Sequence, residues 1–224
     1  MIKILEETTK YPLQKIGMMA GVCWGAPTDN TEKNIKRAKD CIISGHGRTL
    51  EYVDIEMVID EVSARVIREW YTHISGAPTR LQSSTRYVEW KGDLSNNIII
   101  PPTIAKAMEN ELFKNAYDNF SDAFIKLIDA SKDIPKEDIA MLYPLGMKTK
   151  IVDKRNLRNL VSMFELRTCS RAYWEYRKLM KDIYNELYNL SDEWKWICEN
   201  CFKTKCEKSG YCTETKSCGR KPKV

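Results

Sequence analysis

The sequence predicts an α+β fold in which a central, mostly antiparallel sheet is flanked by long helices, followed by a small Cys-rich C-terminal extension. Three observations lead to this prediction. Short stretches alternate apolar and polar residues as half-buried strands do, and longer stretches carry apolar residues at helical spacing. After Trp196 the composition shifts to Cys, Lys, Gly and Thr. We therefore place a domain boundary near Asp192, with one large domain over 1–191 and a tail over 192–224.

The first half of the chain predicts two helices and a strand between them. Val53, Ile55, Met57 and Ile59 alternate with polar residues, as in a strand with one buried face. Polar residues in front of two periodic segments act as predicted helix caps. The predicted elements are a helix over 31–43 capped by Asn30 or Thr31, a glycine turn at 45–47, a strand over 52–59, and a helix over 64–71 capped by Ser63. Cys23 and Trp24 are assigned to a further short strand.

The second half predicts longer helices separated by short strands. A strand over 96–100 ends at Pro101 and Pro102, because proline cannot continue a ladder of backbone hydrogen bonds. The elements that follow are a helix over 103–130, a strand over 147–152, and helices over 156–166 and 171–190. The candidates for the inner face of the first of these helices are Ala107, Leu112, Tyr117, Phe120 and Phe124.

The bulk composition fits a folded globular protein better than a disordered or membrane-spanning chain. Hydrophobic residues make up 43% and charged residues 30% of the sequence, which is ordinary for a globular protein. No apolar run approaches the roughly 20 residues that span a bilayer, and the N-terminus lacks the pattern of a secretory signal. We expect a cytoplasmic protein. The net charge of +5 fits a phosphate-bearing small molecule as well as it fits nucleic acid.

The segment 68–87 is the richest in polar donors. Six of its side chains fall within seven positions: Arg80, Gln82, Ser83, Ser84, Thr85 and Arg86. Arginine binds phosphate through paired hydrogen bonds, and hydroxyls and amides fix the orientation of a bound ligand. The residue types alone fit a solvated loop with a few surface ion pairs slightly better than they fit a binding site.

This segment resembles the signature of the flavin-dependent thymidylate synthases, an Arg-His-Arg triplet followed after seven residues by a serine that usually continues Ser-x-Arg-Tyr. The chain has Ser84-Thr85-Arg86-Tyr87 at the end of the segment. It has Thr72-His73-Ile74 in place of the triplet, and the spacing to Ser84 is two residues longer. The chain is therefore similar to a branch of this family in which both signature arginines are replaced.

Two further blocks resemble the same family. Residues 44–52 (SGHGRTLEY) place His46, Arg48 and Glu51 where the family has a His-rich turn. Asn156-Leu157-Arg158, Leu166-Arg167 and then AYWE resemble the block that holds flavin and nucleotide. The three ordered blocks together span roughly 46–175.

The resemblance implies an enzyme that makes thymidylate from deoxyuridine monophosphate (dUMP). Methylenetetrahydrofolate and NADPH would be co-substrates and FAD the cofactor, and no cysteine nucleophile is needed. A homotetramer with shared active sites is also implied, and the aromatic-rich helix over 171–190 fits burial between subunits. The implied catalytic residues are Ser84, Arg86 and Arg167, with Glu69, Arg80 and Gln82 as further substrate contacts. The implied flavin contacts are His46, Arg48, Glu51, His73, Asn156, Arg158 and Ser162. One nucleotide-binding arginine of the family falls at Ala140.

Several of these residues have simpler alternatives. Glu51 could belong to the polar face of its strand, and Arg158 could be a surface residue of a helix. His73 could cap the end of a helix. Arg167 follows an apolar stripe where a helix ends, so it could interact only with the helix dipole.

The cysteines of the tail predict a metal site. In a reducing compartment such clusters are more often metal ligands than disulfides. Two thiols at Cys-x2-Cys spacing chelate one ion, and two later thiols complete tetrahedral zinc. The most compact set is Cys198, Cys201, Cys206 and Cys212, with Cys218 as a substitute. An iron–sulfur cluster and reduced thiols on a flexible tail are the alternatives.

Two other functions compete with the thymidylate synthase. A flavin- and folate-dependent enzyme that forms a hydroxymethyl pyrimidine would fit the altered triplet. A nucleic-acid-binding protein with a zinc knuckle and a basic tail would fit the last residues, but it leaves the three ordered blocks unexplained. We therefore rank nucleic acid below both enzymes.

Overall fold

The structure, a computed structural model, describes residues 1–87, 90 and 92–223, and its central element is a four-stranded antiparallel sheet. The strand order is β1-β2-β4-β3, so β2 and β4 are the two inner strands. The strands are β1 (Ile2–Ile4), β2 (Asp54–Ser63), β3 (Thr79–Gln82) and β4 (Lys148–Asn156). The predicted α+β class with a mostly antiparallel sheet is confirmed.

The helices lie between and after the strands along the chain, and they include several that the sequence did not predict. The α-helices are α1 (Pro12–Cys23), α2 (Thr31–Ile43), α3 (Ala64–Trp70), α4 (Leu94–Asn97), α5 (Pro102–Ala107), α6 (Glu111–Ala130), α7 (Lys136–Ile139), α8 (Leu157–Arg167), α9 (Trp174–Tyr188), α10 (Asp192–Cys201) and α11 (Lys205–Ser209). Two 3₁₀ helices lie at Gly47–Tyr52 and Ala140–Leu142.

The predicted caps of two helices are confirmed. The side chain of Asn30 accepts a hydrogen bond from the Lys33 amide at 2.9 Å, which fixes the start of α2. Ser63 accepts one from the Val66 amide at 3.1 Å at the start of α3. Each cap satisfies a backbone N–H that has no partner within its helix.

The inner strands follow the predicted alternation, but each continues further than predicted. Val53, Ile55, Met57 and Ile59 are fully buried, as the pattern required. β2 begins at Asp54 rather than Tyr52, because residues 47–52 wind into a 3₁₀ helix. β4 runs past Val152 to Asn156. The prediction ended too early because the inward positions beyond Val152 are the charged residues Asp153 and Arg155 rather than aliphatic ones.

Three assignments from the sequence were wrong. Cys23 is the last residue of α1 and not part of a strand. The predicted strand over 96–100 is instead the end of α4 followed by a single bridge between Ile98 and Met147. The predicted helix over 103–130 is interrupted at 108–110, where Asn110 accepts a hydrogen bond from Phe113 and starts α6 anew.

The chain divides into two compact units, each with its own core. Unit 1 comprises Met1, 59–72 and 81–151, and unit 2 comprises 2–58, 73–80 and 152–223. In unit 1 Trp70, Leu94 and Phe124 are buried, whereas Leu112 and Phe120 of the predicted inner face of α6 are 80% and 53% exposed. The prediction for that face was therefore correct only in part.

The N-terminal part of the tail packs inside unit 2. Trp194, Ile197 and Cys198 of α10 are buried, and the Phe202 ring stacks on Phe164 with centroids 3.9 Å apart. The domain boundary at 191 stays a prediction. Across the described residues, no helix has both the length and the apolar character that crossing a membrane requires.

Candidate functional site

Arg167 and His73 form the centre of the site in unit 2. Arg167 is the last residue of α8, and its Nε donates a hydrogen bond to Nε2 of His73 at 3.0 Å. Its guanidinium also lies over the fully buried ring of Tyr176, 4.8 Å from the centroid. A cation over an aromatic face is attracted by the π electrons. The stack and the hydrogen bond together fix the plane of the guanidinium.

His73 is held in its neutral form. Burial, together with the charges of Arg167, Arg155 and Arg80, lowers its pKa from 6.5 to about 4. A neutral imidazole can accept the hydrogen bond from Arg167, whereas an imidazolium could not. His73 thus orients the cation without neutralising it.

A buried charged network supports the loop that carries His73. Arg155 donates to both carboxylate oxygens of Asp153 at 2.5 and 2.7 Å, and to the Asn159 side chain at 2.6 Å. Asn159 in turn donates to the carbonyl of Ser75 at 2.7 Å. Asp153 and Arg155 have no exposed surface. Buried charges persist only when they are paired and hydrogen-bonded, so this network fixes the loop over 73–80 against α8.

Asn156 joins the same loop to the start of α8. Its Oδ1 accepts a hydrogen bond from the Asn159 amide at 2.9 Å and caps the helix. Gly76 has a positive φ of 73°, and a Cβ at that position would lie 2.2 Å from Nδ2 of Asn156. The close approach and the left-handed backbone both require glycine here.

Arg158 pairs with Glu51, which does not lie on a strand. Glu51 belongs to the 3₁₀ helix at 47–52, and its Oε1 accepts from Nη1 of Arg158. The pair is partly exposed, so screening makes its contribution to stability small. Its effect is to hold the Arg158 guanidinium beside the His46 turn, so two of the sequence blocks are in contact.

A cleft of about 690 Å³ opens beside this turn. Three of the predicted flavin contacts line it: His46, Arg158 and Ser162. Another part of the lining comes from the tail, namely Trp196, Asn200, Cys201, Lys203, Glu207 and Lys208. An elongated phosphate-bearing cofactor needs such a combination of cations, amide donors and apolar surface.

Arg48 faces a different cavity. It lines an apolar pocket of about 360 Å³ with His46, Cys23, Trp24 and Tyr52. The structure therefore brings His46 to both cavities and separates Arg48 from Arg158.

The remaining substrate-binding candidates lie mostly in unit 1. Ser83 joins β4 through its amide and the Lys150 carbonyl at 2.9 Å, and Gln82 donates to Thr149 at 3.2 Å. Ser84 accepts from the amide and Nε of Arg86 at 3.3 and 3.4 Å. Arg86 is exposed, so this turn presents a cation and a hydroxyl to a ligand.

Glu69 and Arg80 lie at the borders of these segments. Glu69 is half-buried near the end of α3, where its carbonyl accepts from the Thr72 hydroxyl at 2.7 Å. Arg80 is half-buried in β3 of unit 2, where its charge acts on His73.

The structure does not bring the four predicted zinc ligands together. Cys198 and Cys201 are buried, and burial raises the pKa of their thiols to about 12 and about 11. Cys206 and Cys212 instead line a small pocket with Cys169 and Cys218. All are free thiols, and within the described ranges no group of three or more Cys, His, Asp or Glu could hold a metal ion. Zinc requires thiolates, and two of the four predicted ligands are held as thiols in the core.

Several functional residues were not identified from the sequence. Asp153, Arg155 and Asn159 support the site, and the tail residues line the cleft. The sequence does contain a clue to Asp153 and Arg155. They are opposite charges two residues apart, so in a strand they share one face with the apolar Ile151.

Comparisons with known proteins find a matching family and similar sequences. The family model described as thymidylate synthase complementing protein matches residues 4–191. A flavin-dependent thymidylate synthase of Saccharolobus solfataricus is 31% identical over 175 residues, which cover 77% of this chain and 65% of that protein. One of Clostridium tetani is 26% identical over 98% of this chain and 93% of its own length. The alignments span less than two thirds of the first three relatives, with 65%, 56% and 62% of their lengths.

A solved structure shares the fold. The flavin-dependent thymidylate synthase of Helicobacter pylori, complexed with FAD and dUMP, superimposes with a TM-score of 0.68 over 90% of this chain and 99% of its own. The two sequences are 20% identical, so this likeness bears on the fold alone.

Proposed function

Because the chain belongs to the flavin-dependent thymidylate synthase family, we propose that it converts dUMP to thymidylate by reductive methylation. Methylenetetrahydrofolate would supply the carbon and NADPH the reducing equivalents. The observation that carries the proposal is the convergence of His46, Arg158 and Ser162 on one cleft. These residues come from two blocks more than a hundred positions apart, and the family would use both blocks to hold FAD.

The cleft has the donor set that FAD requires. Arg158 would bind a phosphate or flavin carbonyl, with Glu51 holding its guanidinium in place. Ser162 and His46 would supply neutral hydrogen bonds, and Asn156 and His73 would border the flavin through the loop over 73–80. Arg48 would approach the cofactor from the adjoining apolar pocket. When bound and reduced, FAD supplies the electrons that convert the transferred carbon to a methyl group.

Arg167 would bind the edge of the uracil ring. Its guanidinium is oriented by the neutral His73, which brings no charge of its own. Such a fixed cation stabilises negative charge that develops on a pyrimidine carbonyl, and it needs no reorganisation during the reaction. Tyr176 excludes water from one face of the guanidinium and so strengthens its field.

Ser84 and Arg86 would hold the nucleotide phosphate. The Ser84 hydroxyl and the Arg86 guanidinium lie within hydrogen-bond distance of each other on one exposed turn, and both can bind the same phosphate group. Gln82, Glu69 and Arg80 would add contacts to the nucleotide.

We also propose a homotetramer with active sites shared between subunits. The apolar residues of α9 are buried within their own chain, so this helix does not support the subunit interface predicted from the sequence. The support comes from α6, on which Leu112, Phe120 and Leu127 are exposed. Exposed large apolar residues along one helix are typical of an interface.

The experiment begins with the absorbance spectrum of the purified protein and its response to added dUMP. Flavin bands that shift with dUMP, followed by a product whose mass corresponds to a methyl group, would support the proposal. A product heavier by one oxygen atom would favour the hydroxymethyl-forming enzyme. A protein that binds no added FAD and does not respond to dUMP would contradict both.

A pair of variants tests the role of Arg167. Arg167→Met removes the proposed uracil contact, and Lys154→Met is the matched control that removes one cation elsewhere. Lys154 has an exposed side chain on β4, in an ion pair with Glu56. We expect only the first change to abolish turnover and the spectral response to dUMP, because only Arg167 would touch the uracil.

A further inference from the structure

The cleft in unit 2 has a wall that lies outside the family match. The family model ends at residue 191, yet Trp196, Asn200 and Lys203 line the same cleft as Arg158 and Ser162. The segment is firmly held, since Cys201, Phe202 and Thr204 are buried around Lys203. The tail therefore presents Lys203 from a fixed backbone.

The cations of the cleft differ in their partners. Arg158 is paired with Glu51, and Lys208 is paired with Glu165. Glu207 is engaged in the capping box at Thr204, whose amide and hydroxyl donate to it at 2.8 and 2.7 Å. In the part of the chain that the structure describes, no carboxylate lies within ion-pair distance of the Lys203 ammonium. A half-buried cation without a carboxylate is a ready partner for an anionic group.

We propose that Lys203 binds the phosphates of the dinucleotide cofactor and that the tail is part of the cofactor site. The inference rests on the proposed function, because it takes the ligand of the cleft to be FAD. The diphosphate is the strongly anionic part of that molecule, and Arg158 and Lys203 line one cavity in which both can reach it. The tail thus adds a cofactor contact that the matched region 4–191 does not contain.

The test measures FAD affinity by flavin fluorescence for four proteins: wild type, Lys203→Ala, Lys203→Arg and Lys205→Ala. Lys205 is an exposed lysine of α11 that lines a different pocket, so its variant controls for loss of one charge from the tail. We expect the Lys203→Ala variant to bind FAD about tenfold more weakly. Lys203→Arg and Lys205→Ala should bind within about twofold of wild type, and the salt dependence of FAD binding should weaken only in Lys203→Ala.

The outcomes separate this inference from the proposed function. Wild-type protein that binds FAD while Lys203→Ala binds it equally well would overturn the inference and leave the function standing. Equal losses in Lys203→Ala and Lys205→Ala would also overturn it, because the effect would then be one of general charge. Wild-type protein that binds no FAD would overturn both. Melting curves of the four proteins check that the variants are folded.

Discussion

Arg167 and His73 are joined by one hydrogen bond at the end of α8, with the guanidinium as donor and a neutral imidazole as acceptor. The histidine lies beside three arginines and contributes no charge of its own, because burial and those charges lower its pKa. The hydrogen bond fixes the orientation of the Arg167 guanidinium and adds no charge. The altered signature triplet, Thr72-His73-Ile74, thus retains its histidine, and that histidine contacts Arg167.

The first prediction is a pH dependence that arises from His73. The folded-state pKa is lowered to about 4 from an ordinary value of 6.5, so the unfolded chain binds the proton more readily. Stability from this group is present above pH 6.5 and is lost as the pH falls from 6.5 towards 4. The free energy of unfolding of His73→Gln should therefore fall less steeply over this window than that of wild type.

Nuclear magnetic resonance provides the direct measurement. The chain has two histidines, so the imidazole signal that remains in His46→Gln belongs to His73. We expect that signal to titrate well below pH 6. A midpoint near 6.5 would show that Arg167 and burial do not hold the imidazole neutral.

The second prediction concerns the buried pair Asp153–Arg155. Asp153→Asn removes the Asp153 charge from its pair with the buried Arg155, which should lower the free energy of unfolding by about 3–5 kcal/mol. Glu56→Gln breaks the exposed pair with Lys154, which should cost less than about 1 kcal/mol. Urea unfolding of both variants makes the comparison. Similar losses of unfolding free energy in the two variants would mean that burial does not make the Asp153–Arg155 pair more important for stability than the exposed pair.

Local patterns in the sequence predicted α2, the buried face of β2 and two helix caps, because each depends on residues close together in the chain. The inward turn of Asp153 and Arg155 could not be predicted in the same way. Charged residues ordinarily mark a solvent face, and only the folded chain shows that Asn159 and Met163 accept hydrogen bonds from the buried Arg155. The cleft was predicted only in part, since the Lys203 side of it depends on how the tail packs against α8.

The third prediction concerns the reactivity of the thiols. A hydrogen bond from Ser170 lowers the pKa of the exposed Cys218 thiol, with the backbone and charge of Arg220 acting in the same direction. Burial raises the pKa of Cys198 and Cys201. Since the thiolate is the nucleophile, Cys218 should react fastest with a disulfide reagent at pH 7, and the two buried thiols only after unfolding.

Two single variants check this order. Cys218→Ser should remove the fastest phase, whereas Cys23→Ser, which removes the other exposed thiol, should leave it intact. Rapid reaction of Cys198 or Cys201 in the folded protein would contradict their burial.

The fourth prediction compares two glycines with almost the same backbone. Gly76 and Gly45 have φ values of 73° and 77°, so an alanine at either position costs about 1–2 kcal/mol through strain alone. Gly45 has open space around its missing Cβ, whereas the Cβ of Gly76→Ala would lie 2.2 Å from Nδ2 of Asn156. Asn156 cannot move away without giving up its cap on α8. Gly76→Ala should therefore lose about a further 1 kcal/mol in urea unfolding, and FAD binding should weaken with it because Asn156 borders the proposed flavin site. Equal losses of stability in the two variants would show that the Asn156 cap is not coupled to the loop.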